Sequence, residues 1–247
     1  MLALARLLLG PLLLTQGRRV RRVALRLPEP PGDRAGTTGT GPPLRFLIVG
    51  DSSAAGVGAA TQGEALLGQV VTTLAAQFTV SYRLIARTGS TTRATLGKLQ
   101  KTEPQPFDIA LTALGVNDVT SGVSVADWLD QQQALAATLR TRFGVRHVVV
   151  SGLPPVHAFP ALPQPLRWYL GTQAQRFDAR LRLWADAEPT VSYVSLIEGP
   201  DVPPDYRDRM SEFMAEDGFH PGPQIYAHWG GQAAAEIAHR VNAHVEA

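Results

Sequence analysis

The sequence of 247 residues contains no cysteine. Disulfide bonds, thiolate-rich metal sites and a cysteine nucleophile are therefore all excluded, and any covalent catalysis must use another side chain. The absence does not assign a redox compartment, because a chain without cysteine can work in any of them. Apolar residues make up 45% of the sequence, which is enough to form the core of one sizeable α/β domain.

Familiar motifs for phosphate binding and for hydrolysis are also missing from the glycine-rich segment 50–58, which reads GDSSAAGVG. It has no Gly-Lys-Ser/Thr, as a P-loop would, and Thr61 replaces the third glycine of a dinucleotide-binding G-x-G-x-x-G. The nucleophile elbow G-x-S-x-G of the α/β-hydrolases does not occur there either. Two interpretations remain, a turn capped by Asp and Ser side chains or a serine nucleophile beside backbone N–H groups.

The N-terminal arm lacks a long apolar run. Residues 2–14 are mostly apolar but are interrupted by Arg6, Gly10 and Pro11, and a membrane-spanning helix needs about 20 apolar residues. The positive charge follows this run and no A-x-A-like cleavage site is present, which disfavours a secretory signal. We expect the arm to dock on the protein's own apolar surface, on a second copy or partner, or on a membrane surface. A cytoplasmic or peripheral-membrane location is favoured over secretion.

Residues 28–43 are rich in Pro, Gly and Thr and predict a linker. The chain is accordingly divided into an arm with its linker over residues 1–43 and one domain over residues 44–247. Residues 1–45 hold eight arginines and two carboxylates, whereas the remainder holds 15 basic and 19 acidic residues. A nucleic-acid-binding protein carries its positive charge on the folded face, so a nucleic-acid partner is not expected.

Strand-like and helix-like patterns alternate after the linker. Strands are predicted at 45–49, 80–86, 108–114, 146–151 and 191–196, and helices at 61–77, 91–100, 125–142, 166–186 and 225–245. Thr61 and Glu64 match a capping box for the first of these helices. The alternation predicts an α/β protein with three α/β/α layers and a five-stranded parallel sheet, in which ligands bind beyond the carboxyl ends of the strands.

Candidate catalytic residues lie in the loops at that edge. Ser52 follows the first strand, and a serine nucleophile needs a histidine base that a carboxylate orients. His220 lies in the loop before the last helix, three residues after Asp217, so the carboxylate can reach the imidazole. His157 also lies at the expected edge and is a second candidate base. The alternative for Asp217 and His220 is a pair that caps the last helix.

An acyl transfer through serine also needs donors for the oxyanion. Gly89 follows the second strand, and its backbone N–H can approach a substrate because the residue has no side chain. Asn117 follows the third strand and offers an uncharged amide donor. The alternatives are a simple turn at Gly89 and an Asx-type cap at Asn117.

Four segments in this order, Gly50-Asp51-Ser52, Gly89, Gly115-Val116-Asn117-Asp118 and Asp217-Gly218-Phe219-His220, resemble the SGNH hydrolases, also called the GDSL esterase/lipase superfamily. The resemblance covers roughly residues 44–240. Ser53 departs from it, because the family name has leucine there.

This resemblance implies a flavodoxin-like fold and hydrolysis of esters or thioesters without metal or cofactor. Ser52 would be the nucleophile, His220 the base and Asp217 its orienting carboxylate. The Ser52 and Gly89 N–H groups and the Asn117 side chain would form the oxyanion hole.

The substrate is expected to be a small-molecule carboxylic ester of short to medium acyl length. Phe159, Leu162, Trp168 and Tyr169 lie in an apolar, Pro-rich segment after the fourth strand and predict either the wall of an acyl pocket or core packing. The alternative functions are a carbohydrate O-deacetylase or acyltransferase, and a lysophospholipase or thioesterase of the same fold.

Overall fold

The computed structural model of the chain describes residues 2–196 and 209–245. A six-stranded sheet lies between two layers of helices. The strands are β1 (Ala35–Thr38), β2 (Pro43–Gly50), β3 (Thr79–Ala86), β4 (Ile109–Ala113), β5 (His147–Ser151) and β6 (Val191–Val194). The helices are α1 (Leu2–Val23), α2 (Leu66–Ala75), α3 (Thr92–Lys101), α4 (Val116–Ser121), α5 (Val125–Phe143), α6 (Leu166–Ala187) and α7 (Pro223–Val245), with 3-10 turns at Val156–Ala158 and Met210–Phe213.

The five predicted strands are all present and all parallel, in the order β3-β2-β4-β5-β6. This is the flavodoxin-like order, and it confirms the predicted fold class. The sixth strand, β1, lies within the segment predicted as a linker and pairs antiparallel with the outer edge of β3. All four of its residues are exposed, so it carries no apolar alternation by which the sequence could have predicted it.

Alternate residues of the central strand β2 enter the two cores of the molecule. Phe46 and Ile48 pack against α2 and α7 on one face. Leu47 and Val49 face the other side, where α3, α5 and α6 contribute a larger apolar cluster. Because both faces are covered, the strand is apolar almost throughout, as expected for a buried parallel sheet.

Two helical details differ from the sequence prediction. Helix α2 begins at Leu66, and the capping-box residues Thr61 and Glu64 instead close a turn before it, where Thr61 Oγ1 accepts a hydrogen bond from Glu64 N at 3.4 Å. The six-residue helix α4 was not predicted, because it is too short to show a helical apolar period.

The N-terminal arm forms helix α1, one side of which docks on the protein. Leu13 is buried in the larger core, and Leu9 and Val20 pack against that core. The Gln16 side chain donates to Gln164 O at 2.8 Å and accepts from Leu166 N at 3.2 Å. The docking therefore combines apolar burial with hydrogen bonds to the start of α6. No helix in the described part of the chain is long and apolar enough to cross a membrane.

The segment after α1 is an ordered strap across two loops at the carboxyl edge of the sheet. Pro31 O accepts a hydrogen bond from Gln62 N at 2.9 Å in the loop after β2. The Glu29 carboxylate accepts from Thr88 N at 2.9 Å and from Thr88 Oγ1 at 2.7 Å in the loop after β3. Arg34 forms an ion pair with the other oxygen of Glu29 at 2.7 Å. The strap thus fastens the loop that carries Gly89.

Candidate active site

Ser52 lies just beyond β2, at the position where the strand order reverses between β2 and β4. The turn that carries it is closed by backbone hydrogen bonds from Ala55 N to Asp51 O and from Val57 N to Ser52 O, both at 3.0 Å. This edge is where ligands of doubly wound sheets bind. The serine is therefore held in a rigid turn at the ligand-binding edge of the sheet.

His220 bridges Ser52 and Asp217. Its Nε2 lies 2.8 Å from Ser52 Oγ, and its Nδ1 lies 2.5 Å from Asp217 Oδ2. The second carboxylate oxygen of Asp217 accepts the backbone N–H groups of Phe219 at 2.9 Å and His220 at 3.0 Å. The structure thus brings the three predicted residues together in the order nucleophile, base and carboxylate.

Asp217 is built to remain ionised. Its side chain is only 2% exposed, and this burial alone would raise the pKa of the carboxyl group. The hydrogen bonds from the His220 side chain and from the His220 and Phe219 N–H groups outweigh burial and place the pKa of Asp217 below its ordinary value. An anion beside Nδ1 stabilises the imidazolium that forms when the other nitrogen accepts a proton.

The other candidate base, His157, is not brought to Ser52. It lies in the 3-10 turn Val156–Ala158 with an exposed side chain. His147 is buried at the opposite edge of the sheet, where its Nε2 lies 3.1 Å from Ser192 Oγ. His228 and His239 lie on α7. Among these four histidines and His220, only His220 has a ring nitrogen within hydrogen-bond distance of Ser52.

Close packing between the serine loop and the histidine loop sets the Ser52–His220 distance. A Cβ atom on Gly58 would lie 2.3 Å from Pro221 O and 3.3 Å from His220 Cβ. The φ angle of Gly58 is +99°, which side chains rarely adopt. Tyr226 of α7 donates its hydroxyl to Val57 O at 2.7 Å. Gly58 was considered in the sequence only for phosphate binding, but here it is the point where the two loops touch.

Two of the three predicted oxyanion donors are backbone N–H groups that have no acceptor among the described residues. Among the described residues, no atom accepts a hydrogen bond from the backbone N–H of Ser52 or of Gly89. Gly89 is exposed and has a φ of +78°, and a Cβ atom there would meet nothing within 4 Å. The turn conformation therefore explains this glycine, and its surroundings are open.

The third predicted donor, Asn117, is engaged. Its side-chain nitrogen donates to Asp51 Oδ2 at 3.0 Å and to Ser90 O at 3.1 Å. An amide nitrogen has two hydrogens, so both are used in this arrangement. Asn117 links the loops after β2, β3 and β4, and it can contact an oxyanion only by sharing or exchanging one of these bonds.

Asp51 is a buried member of this network, whereas the sequence indicated only that it could cap the turn. Ser53 donates both its N–H at 3.0 Å and its hydroxyl at 2.9 Å to Asp51 Oδ1. Burial raises the pKa of Asp51 above its ordinary value, against the opposing effect of the hydrogen bonds from Ser53 and Asn117. Ser53, the residue that departs from the family name, thus gives two hydrogen bonds to a buried carboxyl group. A leucine at this position has no hydroxyl and could give only the backbone bond.

A second buried carboxylate, Asp118, lies beside this network. It accepts hydrogen bonds from Thr92 N at 3.1 Å and from Thr92 Oγ1 at 2.9 Å. Burial, together with the negative charge of Asp51, raises its pKa to about 6 despite these hydrogen bonds. Its contacts fix the start of α3 on the loop after β4.

A cleft of about 1580 Å³ opens beside Ser52 and His220. Phe159, Leu162 and Tyr169 are among its lining residues, and Phe159 and Leu162 are also buried members of the larger core. Trp168 does not line it, and its side chain is 44% exposed. Neighbouring residues on a helix point about 100° apart, so Trp168 faces away from the cleft that Tyr169 enters.

Helix α1 forms part of the cleft wall, which was not predicted. Gly10, Leu13, Gly17 and Val20, on the docked side of the helix, are among the lining residues. The sequence indicated that the arm could dock on an apolar surface, but not that this surface continues to the candidate nucleophile.

The sequence model of the GDSL-like lipase/acylhydrolase family matches residues 48–228. The chain belongs to this family. The matched region contains all four segments on which the resemblance was based and extends over most of the chain, so the resemblance stated from the sequence is confirmed. No functionally curated protein matches this GDSL-like acylhydrolase in sequence.

Solved structures of GDSL-family proteins share the fold at low identity. A lipolytic protein of the G-D-S-L family from Veillonella parvula is 13% identical with a TM-score of 0.59, covering 76% of this chain and 95% of its own. The psychrotrophic esterase EstA from Pseudoalteromonas sp. is 18% identical with a TM-score of 0.58, covering 80% and 98%. Est24, a carbohydrate acetylesterase from Sinorhizobium meliloti, is 17% identical with a TM-score of 0.58, covering 79% and 98%.

Gly58→Ala should reduce ester turnover by about 100-fold, because the added methyl group must displace the His220 loop, and misplacing catalytic groups by about 1 Å can have an effect of this size. The measurement is kcat on a soluble ester. Gly63→Ala in the same loop is the control, since its Cβ would make only an ordinary contact of 3.6 Å with Thr61. Equal activity of the two variants would contradict the proposed role of the Gly58 contact.

Asp118→Asn should flatten the dependence of stability on pH. The folded-state pKa of Asp118, about 6, lies above the ordinary value of 3.8, so the folded state binds more protons between these values. The wild-type contribution is therefore lost as pH rises through 6. Relative to Asp118→Asn, the wild-type free energy of unfolding should fall by up to about 3 kcal/mol between pH 4 and 7.

Urea unfolding at a series of pH values measures this difference. Asp33→Asn, a change at an exposed aspartate, is the control and should leave the wild-type pH dependence in place. Parallel pH profiles for wild type and Asp118→Asn would show that Asp118 titrates alike in the folded and unfolded states.

Proposed function

We propose that the protein is a serine carboxylic ester hydrolase that acts on short to medium acyl chains through Ser52, His220 and Asp217. One observation carries this proposal, namely the continuous set of hydrogen bonds from Ser52 Oγ through His220 to Asp217. Membership of the GDSL-like acylhydrolase family supports it independently. A serine without a base would be a poor nucleophile at neutral pH.

In the proposed reaction, Ser52 Oγ attacks the ester carbonyl carbon and gives its proton to His220 Nε2. The tetrahedral intermediate collapses, the C–O bond to the alcohol breaks, and the imidazolium protonates the departing alcohol. Water then attacks the acyl-Ser52 ester, giving a proton to His220. The carboxylic acid leaves as Ser52 Oγ takes that proton back. Asp217 accepts the hydrogen bond from His220 Nδ1–H throughout and remains ionised.

The oxyanion of each intermediate is held by the N–H groups of Ser52 and Gly89 in this proposal. Their lack of other acceptors among the described residues supports it. Asn117 acts as the third donor by sharing the hydrogen that it gives to Ser90 O or to Asp51 in the resting protein. Donors that are placed in advance stabilise the oxyanion without reorganisation of solvent.

The acyl group is proposed to lie against Phe159, Leu162 and Tyr169. These side chains are apolar over most of their surface and line the cleft that opens at Ser52. The Pseudoalteromonas esterase has been solved with monoethylphosphonate as inhibitor. A phosphonate ester is tetrahedral, as the intermediate is, so the same inhibitor class is expected to inactivate this protein through Ser52.

A carbohydrate O-deacetylase is the second candidate, because the Sinorhizobium neighbour is a carbohydrate acetylesterase. Both candidates use the same catalytic groups and differ in the alcohol that leaves. Comparing acetylated sugars with p-nitrophenyl acetate, butyrate and octanoate separates them. Adding a sugar or alcohol acceptor tests for an acyltransferase, because the transfer product would then exceed the free acid.

Ser52→Ala should remove essentially all turnover on the p-nitrophenyl ester that the wild type hydrolyses best, because triad-dependent catalysis needs the nucleophile. The measurement is initial rate with and without EDTA, which should have no effect. Ser81→Ala, on the exposed edge pairing of β1 and β3, is the control and should retain the wild-type rate. Full activity of Ser52→Ala would overturn the proposal.

Asn117→Ala should lower kcat by on the order of 10²- to 10³-fold with a smaller change in KM, if its amide contacts the oxyanion in the transition state. The variant also leaves Asp51 Oδ2 without that donor, so its thermal unfolding must be measured in parallel. An unchanged kcat in a folded variant would limit the oxyanion donors to backbone groups.

A further inference from the structure

Helix α1 has an outward side that nothing in the described structure covers. Its first half presents Leu7, Leu8, Leu12 and Leu14, which are 78%, 69%, 45% and 61% exposed. Leu14 lies at the border of this side and also lines the cleft. Single exposed leucines are ordinary on protein surfaces, but four within two helical turns form an apolar patch. The docked side of the same helix carries Leu13, so the patch cannot be buried by the contacts that hold α1.

The second half of α1 carries the positive charge. Arg18, Arg19, Arg21 and Arg22 are all exposed, and none forms an ion pair with a carboxylate in residues 2–196 and 209–245. The apolar patch extends about 10 Å along the helix axis before the arginines begin. An apolar exposed side next to a cluster of arginines is the pattern of a helix that lies in the membrane plane, with its apolar residues at the boundary between headgroups and acyl chains.

The mouth of the cleft has the same charge. Arg18 and Arg21 of α1 and Arg176 and Arg180 of α6 are among its lining residues. The one carboxylate in the described lining, Asp51, is buried. The cleft mouth is therefore positive although the chain after residue 45 has more acidic than basic residues.

We propose that the outward side of α1 docks the protein on an anionic phospholipid bilayer. The leucines enter the acyl boundary, and the arginines contact lipid phosphates. Because Leu14, Arg18 and Arg21 are exposed and also line the cleft, this placement brings the cleft mouth to the bilayer surface, beside any ester in it. The docking does not depend on the chemistry proposed for Ser52.

A second copy of the chain fits this surface less well. In a two-fold contact with the helices parallel, the four arginines of each copy would face those of the other. With the helices antiparallel, each set of arginines would be buried against leucines and lose its water. An anionic bilayer offers an apolar boundary to the leucines and phosphate groups to the arginines at the same time.

The test uses the full chain carrying Ser52→Ala, so that no lipid is hydrolysed during the measurement. Flotation with phosphatidylcholine vesicles, with and without phosphatidylglycerol, measures binding at low and high salt. We expect binding to the anionic vesicles that weakens as salt increases, because the charge attraction is screened. Failure to bind anionic vesicles at low salt would overturn the proposal.

Two paired substitutions test the two halves of α1, and neither pair lines the cleft. Leu8→Asp with Leu12→Asp should weaken binding by at least about tenfold. Arg19→Gln with Arg22→Gln should weaken it by roughly 30-fold and reduce its salt dependence, at about fivefold for each arginine. Leu183→Asp, at a leucine of α6 that is 60% exposed, is the matched control and should bind like the parent.

Circular dichroism and thermal unfolding check that each variant remains folded. Equal loss of binding in Leu183→Asp would show that the effect is general and would overturn the assignment to α1. Light scattering tests the competing occupant, because a dimer that Leu8→Asp dissociates, together with absent vesicle binding, would assign the patch to a second copy instead. A failure of the esterase assay would leave these binding results unaffected.

Discussion

The hydrogen bond between Ser52 and His220 joins loops that are 168 residues apart in the chain, and the geometry of the site depends on how those loops are packed together. Gly58 lies against Pro221, and Tyr226 of α7 is bonded to Val57. The sheet brings Ser52 to the correct edge, but these contacts fix the separation of the reacting atoms. The final helix therefore does more than cover one face of the sheet, because it also fastens the loop that carries the nucleophile.

The candidate site concentrates three buried carboxyl groups with different roles. Asp217 has several donors, which lower its pKa and suit it to balance a charged imidazole. Asp51 and Asp118 have donors too, but burial prevails and raises both pKa values. Buried carboxylates are costly unless hydrogen bonds compensate them. Asp51 and Asp118 thus hold the loops after β2, β3 and β4 together and fix the backbone around Ser52. Their ionisation opposes folding as the pH rises.

The sequence predicted the parallel strands and long helices from their apolar periods and Ser52 from its position at a strand end. Asp217 and His220 were predicted from their spacing in the loop before the last helix. Strand β1 was missed because an exposed edge strand needs no apolar alternation. The two hydrogen bonds of Asn117 could not be predicted, since they join the loop after β4 to Asp51 and Ser90, which lie in loops far apart in the chain. Trp168 is exposed and does not line the cleft, because the composition of a segment does not specify which way a helical residue faces. The role of α1 in the cleft wall was likewise not encoded in any local pattern.

Gly58 and Gly89 both lie in loops of the candidate site, but a larger residue is unfavourable at the two positions for different reasons. At Gly58 the φ angle is +99° and the space is also occupied, so a side chain is excluded by its size as well as by the backbone conformation. At Gly89 the space is empty and only the handedness of an L-residue is unfavourable at a φ of +78°. A D-amino acid, which favours positive φ, would therefore suit position 89 in chirality and leave the direction of its backbone N–H unchanged. The rim of the candidate oxyanion hole is constrained by stereochemistry alone, whereas the contact beneath His220 is constrained by size as well.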